Sequence, residues 1–255
     1  MKKIGCISQT YGNERIHEIK CISHDDTGGA LRDLLDEISF TFHNCNPEFI
    51  AKSHKILTTR FPTCKFRSIN NVNYRDSIIQ QLCDMKNMGL TDFVLLQDDH
   101  YGINYPENVE YVKSIVAFYK SRPDIKYLHL HQREGYPSAN RVPKETVEYS
   151  GLLFHKYDSR DFKKDDFYGY NDGIFIASID MFIDILKTNG VPEDVWGMEW
   201  WLKWLFDNYE HDRWGIEKVL FDSVYMHGRN TSTDLRGSLN CIFGMKPNFE
   251  EIIKP

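Results

Sequence analysis

Residues 92–100 read Asp-Phe-Val-Leu-Leu-Gln-Asp-Asp-His, and this stretch decides the fold. Its four consecutive apolar residues, Phe93 to Leu96, are typical of a strand buried on both faces of a mostly parallel sheet. The apolar run stops abruptly at Asp98 and Asp99. Because ligands of open α/β sheets bind at the carboxyl ends of strands, this junction is a candidate functional site.

The two adjacent acids indicate what such a site would hold. Neighbouring carboxylates repel each other and resist removal from water, so a buried pair usually requires a cation. Oxygen ligands beside the imidazole of His100 suit Mg²⁺ or Mn²⁺, ions that commonly also bind substrate phosphates. The stretch therefore favours a metal–diphosphate site. A polar strand-to-loop junction with solvated acids explains the same residues, and the stretch alone does not separate the two interpretations.

Composition limits the class of protein. The chain has 255 residues, 41% of them hydrophobic and 27% charged, which indicates a globular protein with ample length for one α/β domain with a full core, or for two small domains. The net charge of −6 provides no basic surplus for nucleic acid. No apolar run is long enough for a membrane span, and the opening turns polar at Gln9, too early for a secretory signal. The six scattered cysteines are expected to be reduced thiols, and we expect a cytoplasmic protein.

Strand-like and helix-like patterns alternate through the first half of the chain, which predicts a mostly parallel sheet flanked by helices. The region 132–172, rich in Tyr, Arg, Lys and Asp, is expected to be a substrate loop or a β-ribbon. The predicted strands are 3–8, 64–69, 93–97, 125–131, 173–178 and 219–227. The predicted helices are 29–41, 75–87, one opened by Pro106, 179–187 and a tryptophan-rich helix over 198–209.

Several motifs follow one another in a recognisable order. They are Thr10-Tyr11-Gly12-Asn13-Glu14-Arg15, Arg75, Gln97-Asp98-Asp99-His100, Gly173 to Ser178, Gly197-Met198-Glu199-Trp200-Trp201 and Met226-His227-Gly228-Arg229. In order and spacing they resemble the glycosyltransferases of the GT-A fold, a Rossmann-like α/β architecture. The resemblance implies one such domain over 1–230, with a nucleotide-sugar-binding half at 1–105, an acceptor-binding half at 106–230 and a C-terminal tail at 231–255.

The resemblance also implies roles for individual residues. It implies a nucleotide-sugar donor, a Mn²⁺ or Mg²⁺ cofactor, and a glycan or lipid-linked acceptor. Glu199 would be the catalytic base, Asp99 and His227 would hold the metal, and Trp196 and Asp172 would contact the acceptor. The implied donor-binding residues are Thr10, Tyr11, Asn13, Arg15, Arg75, Asp98 and Arg229.

Two motifs depart from the family pattern. The metal motif is Gln-Asp-Asp-His where relatives more often show Asp-x-Asp, which leaves Asp99 as the metal ligand and Asp98 as a second ligand or a ribose contact. The helix motif is Glu-Trp where many relatives carry Glu-Asp, which leaves Glu199 as the base.

The chemistry of the motifs agrees with these roles. A nucleoside diphosphate leaves more readily when its developing charge is neutralised, which a divalent ion and arginine side chains can do. The attacking hydroxyl must lose a proton, and a carboxylate among tryptophans has the raised pKa that suits a general base. A base placed in this way predicts inversion at the anomeric carbon.

Each of these residues also has a purely structural interpretation. Trp201 and Trp204 can be core residues, Glu199 can favour a helix dipole, and His227 can bond to backbone. Asn13 and Arg15 can simply close a turn. His129 and His131 alternate on one face of a predicted strand, where they are either metal ligands or satisfied, partly buried histidines. The sequence leaves these alternatives open.

Two other functions stay open as well. A sugar nucleotidyltransferase would use the same nucleotide and metal, although that class usually carries a glycine-rich basic loop after the first strand, whereas this loop has one glycine and no lysine. A non-catalytic carbohydrate- or nucleotide-binding protein with a degenerate site is the third possibility. The tail contains apolar residues that can pack on the body, on a partner or at a membrane surface.

Overall fold

The computed structural model describes residues 1–13, 15–70, 72–98, 100–103, 105–130, 143–158, 174–188, 193, 212–218 and 220–223. The strands are β1 (Ile4–Tyr11), β2 (Glu37–His43), β3 (Lys65–Ile69), β4 (Asp92–Gln97), β5 (His100–Gly102), β6 (Tyr127–His129), β7 (Glu145–Tyr149), β8 (Leu152–Asp158), β9 (Phe175–Ser178), β10 (Asp212–Ile216) and β11 (Phe221–Ser223). The helices are α1 (Ile16–His24), α2 (Asp26–Asp33), α3 (Pro47–Arg60), α4 (Tyr74–Asn87), α5 (Pro106–Ser121) and α6 (Ile179–Leu186).

A single large sheet organises these elements, in the order β3-β2-β1-β4-β9-β6-β10-β8-β7. Strands β3, β2, β1, β4, β6, β10 and β7 run in one direction, while β9 and β8 run in the other. The mixed α/β class with a mostly parallel sheet is therefore confirmed. The carboxyl ends of β1, β2, β3 and β4 meet at one edge, which we call the carboxyl edge.

Helices cover both faces of the sheet because the strands alternate their side chains between two apolar layers. Cys6, Val94 and Leu96 face the layer that contains α5, whereas Ile7 and Phe93 face the layer that contains α4 and α6. A third cluster packs α1 and α3 against the phenylalanines of β2. The two central strands are consequently buried on both faces, as the apolar run in β4 predicts.

Local signals predict several elements correctly. The helix opened by Pro106 is α5, with Pro106 in its first turn and Val112, Ile115 and Tyr119 fully buried. The predicted helix 75–87 is α4, and Gly89 follows it with a φ of +82°, a backbone conformation that favours glycine. Strands β1, β3, β4 and β9 and helix α6 also fall where the pattern places them, with β1 reaching Tyr11.

The predicted helix over 29–41 is wrong in its second half. Helix α2 ends at Asp33, and residues 37–43 form β2. The apolar residues Leu31, Leu34 and Leu35 have helical spacing, but Ile38 belongs to the strand alternation that continues through the following phenylalanines. β-Branched and aromatic residues that pack on a pleated surface outweigh the helical spacing here. Helices α1 and α3 were not predicted.

The second half of the described chain refines two further predictions. Within residues 132–172 the pair β7–β8 forms an antiparallel ribbon at the edge of the large sheet, one of the two structures expected there. The last predicted strand, 219–227, contains β11, which pairs with β5 in a separate two-stranded sheet rather than extending the main one. None of the helices in the described ranges has the length and apolar character needed to cross a membrane.

The carboxylate of Asp25 joins α2 to the segment that follows β4. Asp25 is buried between α1 and α2, and its oxygens accept the backbone N–H groups of Gly28 at 2.7 Å and Gly102 at 2.8 Å. A Cβ atom on Gly102 would lie 2.4 Å from the Cβ of Thr27, so only glycine permits this approach. Burial raises the pKa of Asp25 to about 6, while the buried guanidinium of Arg32 opposes that shift. One carboxylate thus caps α2 and anchors β5.

We expect Asp25→Ala to destabilise the fold strongly. The substitution removes the N-cap of α2, leaves the Gly102 N–H without its acceptor and deprives the buried Arg32 of a nearby carboxylate. Each buried donor left unpaired costs about 1–3 kcal/mol, and a total of about 3 kcal/mol corresponds to a loss of roughly 6–12 °C in Tm for a chain of this size. Asp26→Ala, which removes the exposed neighbouring carboxylate, should melt close to wild type in the same calorimetric scan. Equal melting of the two variants would contradict the role assigned to Asp25.

Candidate functional site

The loops after β1 and β2 form one continuous shelf at the carboxyl edge. The Gly12 N–H donates to the carbonyl of His43 at 3.2 Å, and the side-chain oxygen of Asn13 accepts the Asn46 N–H at 2.6 Å. Asn44 has a φ of +51°, and its side-chain amide donates to the hydroxyl of Tyr11 at 3.1 Å. Asparagine tolerates this left-handed conformation because its short polar side chain bonds locally. Asn13 therefore joins the loop after β1 to the loop after β2.

Tyr11 presents an aromatic face to solvent on this shelf. Its side chain is 58% exposed at the end of β1, and its ring stacks on His43 with centroids 6.1 Å apart and planes inclined by 25°. Thr10, its neighbour, is buried within the strand. An exposed aromatic ring supported from beneath by a second ring is a suitable platform for a planar ligand, because stacking needs only an accessible face.

A buried polar network fixes the ring beneath Tyr11. The Nε2 atom of His43 lies 3.0 Å from the hydroxyl of Ser77 and 3.5 Å from the side-chain amide nitrogen of Gln9. Gln81 donates to Ser77 at 3.2 Å and accepts from Thr41. Burial lowers the pKa of His43 to about 4, so the imidazole is neutral at physiological pH. A neutral ring held by β1, β2 and α4 is a rigid support.

The acidic turn after β4 is held by contacts from three directions. The Arg15 guanidinium donates to Oδ1 of Asp98 at 3.0 Å, and both side chains are largely buried. The hydroxyl of Tyr101 donates to the Asp98 carbonyl at 2.7 Å. Nδ1 of His100 accepts the Gln97 N–H at 3.1 Å, which closes the turn. Asp98 therefore already has a cation, which Arg15 provides.

Arg75 lies at the same edge, in the first turn of α4. Its guanidinium donates to Asp76 at 3.1 Å and to Glu193 at 3.4 Å, and its backbone N–H reaches the Glu193 carbonyl at 3.4 Å. The side chain keeps about a fifth of its surface exposed. Its contacts tie the chain at residue 193 to the carboxyl edge of the sheet.

The remaining predicted site residues lie outside the described residues. They are Asp99, Asp172, Trp196, Glu199, His227 and Arg229, together with His131, the predicted helix 198–209 and the tail 231–255. The structure therefore brings together Thr10, Tyr11, Asn13, Arg15 and Asp98 on the shelf and places Arg75 at the same edge.

Three residues of the candidate site were not predicted from the sequence. His43, Asn44 and Ser77 have no motif, because their importance depends on strand register: His43 pairs with Tyr11 across the β1–β2 ladder. The signal that could have identified them is the change from apolar to polar residues at the end of β2. The predicted helix over 29–41 hid this change, because it assigned most of β2 to a helix. A correct strand at 37–43 would have placed His43 and Asn44 at the carboxyl edge.

The described residues alone do not form a metal site. Among them no group of three or more His, Cys, Asp or Glu side chains is arranged to hold an ion. Asp98 is paired with Arg15, and the Nδ1 atom of His100 accepts the backbone N–H of Gln97. A metal at this turn would depend on Asp99 and on side chains supplied from elsewhere in the chain.

Comparison with protein-family models gives no match, and comparison with curated proteins gives none. Solved structures do match. Glucosyl-3-phosphoglycerate synthase from Mycobacterium tuberculosis, in complex with Mg²⁺ and uridine diphosphate, is 14% identical, with 93% of this chain and 75% of that chain covered and a TM-score of 0.50. 4-Diphosphocytidyl-2C-methyl-D-erythritol synthase from Anaerococcus prevotii is 13% identical, with 94% of this chain and 97% of that chain covered and a TM-score of 0.46. S. aureus TarS is 12% identical, with 87% of this chain and 60% of that chain covered and a TM-score of 0.48.

At these identities the comparison shows the fold alone. The chain has a mixed α/β fold with a central mostly parallel sheet, and this fold is similar to that of the glucosyl-3-phosphoglycerate synthase. The predicted fold class is confirmed in this way, while the reaction and the acceptor stay predictions.

We expect His43 to make the fold acid-sensitive between pH 6.5 and pH 4. Its folded pKa lies below the unfolded value, so the unfolded chain takes up the proton first and stability is lost as the pH falls through this window. The loss is about 3 kcal/mol at most, since one pKa unit corresponds to about 1.4 kcal/mol. Asp25 acts in the opposite direction over an overlapping range, because its folded pKa is raised.

Urea unfolding at several pH values measures this effect. His43→Gln keeps hydrogen-bonding groups at the position but does not titrate, so its free energy of unfolding should fall less between pH 6.5 and pH 4 than that of wild type. His54→Gln, which removes an exposed histidine of α3, should retain the wild-type slope. An unchanged slope in His43→Gln would refute the assignment.

Proposed function

We propose that the chain is a metal-dependent glycosyltransferase that moves a sugar from a nucleoside-diphosphate donor to a hydroxyl acceptor. The observation that carries the proposal is the shelf at the carboxyl edge, where the exposed face of Tyr11 lies beside the Arg15–Asp98 pair and the turn that leads to Asp99. Open α/β sheets bind ligands at this edge. A nucleobase stacked on Tyr11 would direct its diphosphate toward that turn.

The chain connectivity supports the placement of the metal ligands. Ser223 at the end of β11 pairs with His100, the residue after the acidic turn, so the described part of the chain ends beside that turn. His227 is four residues farther on, so it lies within about 14 Å of Ser223 by chain length alone. In this proposal Asp99 and His227 hold Mn²⁺ or Mg²⁺, with Arg229 near the diphosphate. The bound ion would supply Lewis-acid neutralisation of the leaving diphosphate.

Connectivity also supports an acceptor site beside the donor. Arg75 holds Glu193 at the carboxyl edge, and Trp196 follows three residues later, within about 11 Å by chain length. Glu199 follows Trp196 closely. In this proposal Trp196 and Asp172 orient the acceptor, and Glu199 is the base.

The reaction itself is a displacement at the anomeric carbon. The acceptor oxygen forms a bond to that carbon as the bond from carbon to the diphosphate oxygen breaks. The acceptor proton passes to the Glu199 carboxylate, and the nucleoside diphosphate leaves with the bonding electron pair. Attack from the face opposite the leaving group gives inversion of configuration.

One observation favours glycosyl transfer over nucleotidyl transfer. A nucleotidyltransferase must hold a nucleoside triphosphate, for which basic side chains in the loop after the first strand are the usual ligands. In this loop the Arg15 side chain is paired with Asp98, and the Asn13 side chain bonds to the backbone of α3. The described basic side chain of this loop is therefore already paired with a carboxylate, which favours glycosyl transfer.

Calorimetric titration of nucleoside diphosphates, with Mn²⁺ and again with EDTA, tests donor binding. We expect metal-dependent binding of one nucleotide, weakened roughly tenfold in Tyr11→Leu by the loss of about 1.4 kcal/mol of stacking. Tyr149→Leu is the control, since Tyr149 lies on β7 at the far edge of the sheet. No binding under either condition would exclude the transferase proposal and leave the non-catalytic binding protein.

Substitutions at the acidic residues separate binding from chemistry. Asp99→Asn should abolish the Mn²⁺-dependence of nucleotide binding, while Glu199→Gln should bind donor normally and transfer at least 100-fold more slowly, the usual contribution of a general base. Transfer is measured as nucleoside diphosphate released, and NMR of the product reads its anomeric configuration. Full transfer by Glu199→Gln would refute the base, and pyrophosphate release from a nucleoside triphosphate and a sugar phosphate would favour nucleotidyl transfer.

A further inference from the structure

A second cavity lies at the opposite edge of the sheet, where β1 and β4 begin. It has a volume of about 680 Å³, and its walls come from the start of β1, the end of α4, the beginning of β4, the end of α5 and the junction of β9 with α6. That volume suits a small organic ligand. β1 spans eight residues, so the cavity lies roughly 23 Å from the shelf that carries Tyr11.

The lining of this cavity carries a surplus of positive charge. Four lysines and two aspartates contribute to it. Lys86 pairs with Asp180 at 2.6 Å. Asp92 accepts hydroxyl hydrogen bonds from Thr91 at 2.6 Å and Tyr119 at 2.7 Å, so its charge is already well compensated.

Two of the remaining lysines lack a close carboxylate partner. Lys2 donates to the carbonyl of Ile125 and lies over the ring of Tyr119, and its nearest carboxylate oxygen, on Asp92, is 3.9 Å away. Lys126 forms no ion pair within the described part of the chain. Burial lowers the pKa of Lys2 to about 8, and repulsion from Lys126 contributes to that shift. An anion between the two ammonium groups would relieve this repulsion.

A helix begins at the same cavity with an unused donor. Ser178 is the N-cap of α6, but its hydroxyl does not cap the helix and forms no hydrogen bond to the described residues. Ser178 is only 8% exposed and lines the cavity. The N–H groups of Ser178 and Ile179 already donate to the carbonyls of Lys126 and Thr91, at 2.9 Å and 3.0 Å, so the helix contributes its dipole rather than these two donors to an anion at this position.

The strand direction explains why a helix begins here. β9 runs antiparallel to β4 and pairs Ser178 with Asp92, so its carboxyl end lies at the amino end of β4. The helix that follows β9 therefore starts at the edge opposite the nucleotide shelf. The junction repeats at this edge the strand–helix arrangement that binds phosphates elsewhere in α/β proteins.

We propose that this cavity binds the phosphate group of a small phosphorylated sugar or polyol, held by Lys126, Lys2 and the Ser178 hydroxyl. Lysine ammonium groups bind phosphate as point charges, and the hydroxyl adds a directional donor. No aromatic side chain lines the described walls, which favours a hydroxyl-rich ligand over a nucleoside. The site is separate from the proposed donor site and does not depend on the proposed function.

Calorimetry with glucose 6-phosphate, inorganic phosphate and glucose tests the site. Glucose 6-phosphate should bind, and glucose should not. If the ester binds more tightly than inorganic phosphate, the ligand is a phosphorylated metabolite. If the two bind equally, the ligand is the free phosphate ion. Lys126→Gln should weaken binding at least tenfold, and Ser178→Ala several-fold. Lys126 is exposed, so its substitution does not threaten folding.

Two controls make the result specific. Lys187→Gln removes an exposed lysine just after the other end of α6 and should leave binding unchanged. Saturating nucleoside diphosphate with Mn²⁺ should not displace the phosphate ester, because the two sites lie at opposite ends of β1. The proposal is overturned if Lys126→Gln binds like wild type, if the nucleotide displaces the ester, or if no phosphate compound binds at about 10 mM.

Discussion

The buried carboxylate of Asp25 is the constraint on which the candidate site depends. It accepts backbone N–H groups from its own helix and from Gly102, which is 77 residues away in sequence. Gly102 ends β5, and β5 begins directly after the acidic turn, so the position of that turn depends on this contact. The close approach of Gly102 to Thr27 leaves no room for another residue. The turn therefore has a rigid anchor, as a site that must hold ligands within a fraction of an ångström requires.

Charge compensation determines the role of each acid in that turn. The two neighbouring acids predict a divalent metal ion, and in the structure Asp98 is paired with Arg15 from the loop after β1. The pair links the ends of β1 and β4 across the site. The pair engages Oδ1 of Asp98, while Asp99 is the carboxylate that would hold a metal in the proposed mechanism. Burial also explains why the ring beneath Tyr11 is a neutral histidine, since a buried imidazolium without a counter-charge would be costly.

The parts of the fold predicted correctly are those with strong local signals. An apolar run marks β4, Pro106 opens α5, and Gly89 ends α4, because each residue acts through its own backbone or its immediate burial. The shelf depends instead on contacts between distant residues. The roles of Asp25 and His43 arise from a helix cap and from strand register, and neither has a signature in a single sequence. The misplaced boundary between α2 and β2 concealed His43 as well.

Strand direction places the two proposed sites at opposite edges of the sheet. A helix that follows a parallel strand starts near the carboxyl edge, as α4 does after β3. β9 is inserted antiparallel between β4 and β6, so α6 starts at the other edge. The insertion places Ser178 beside the first residues of β1 and β4, where Lys2 and Lys126 lie. The reversal of one strand therefore brings the start of a helix to the edge opposite the shelf, and β1 and β4 connect the two proposed sites.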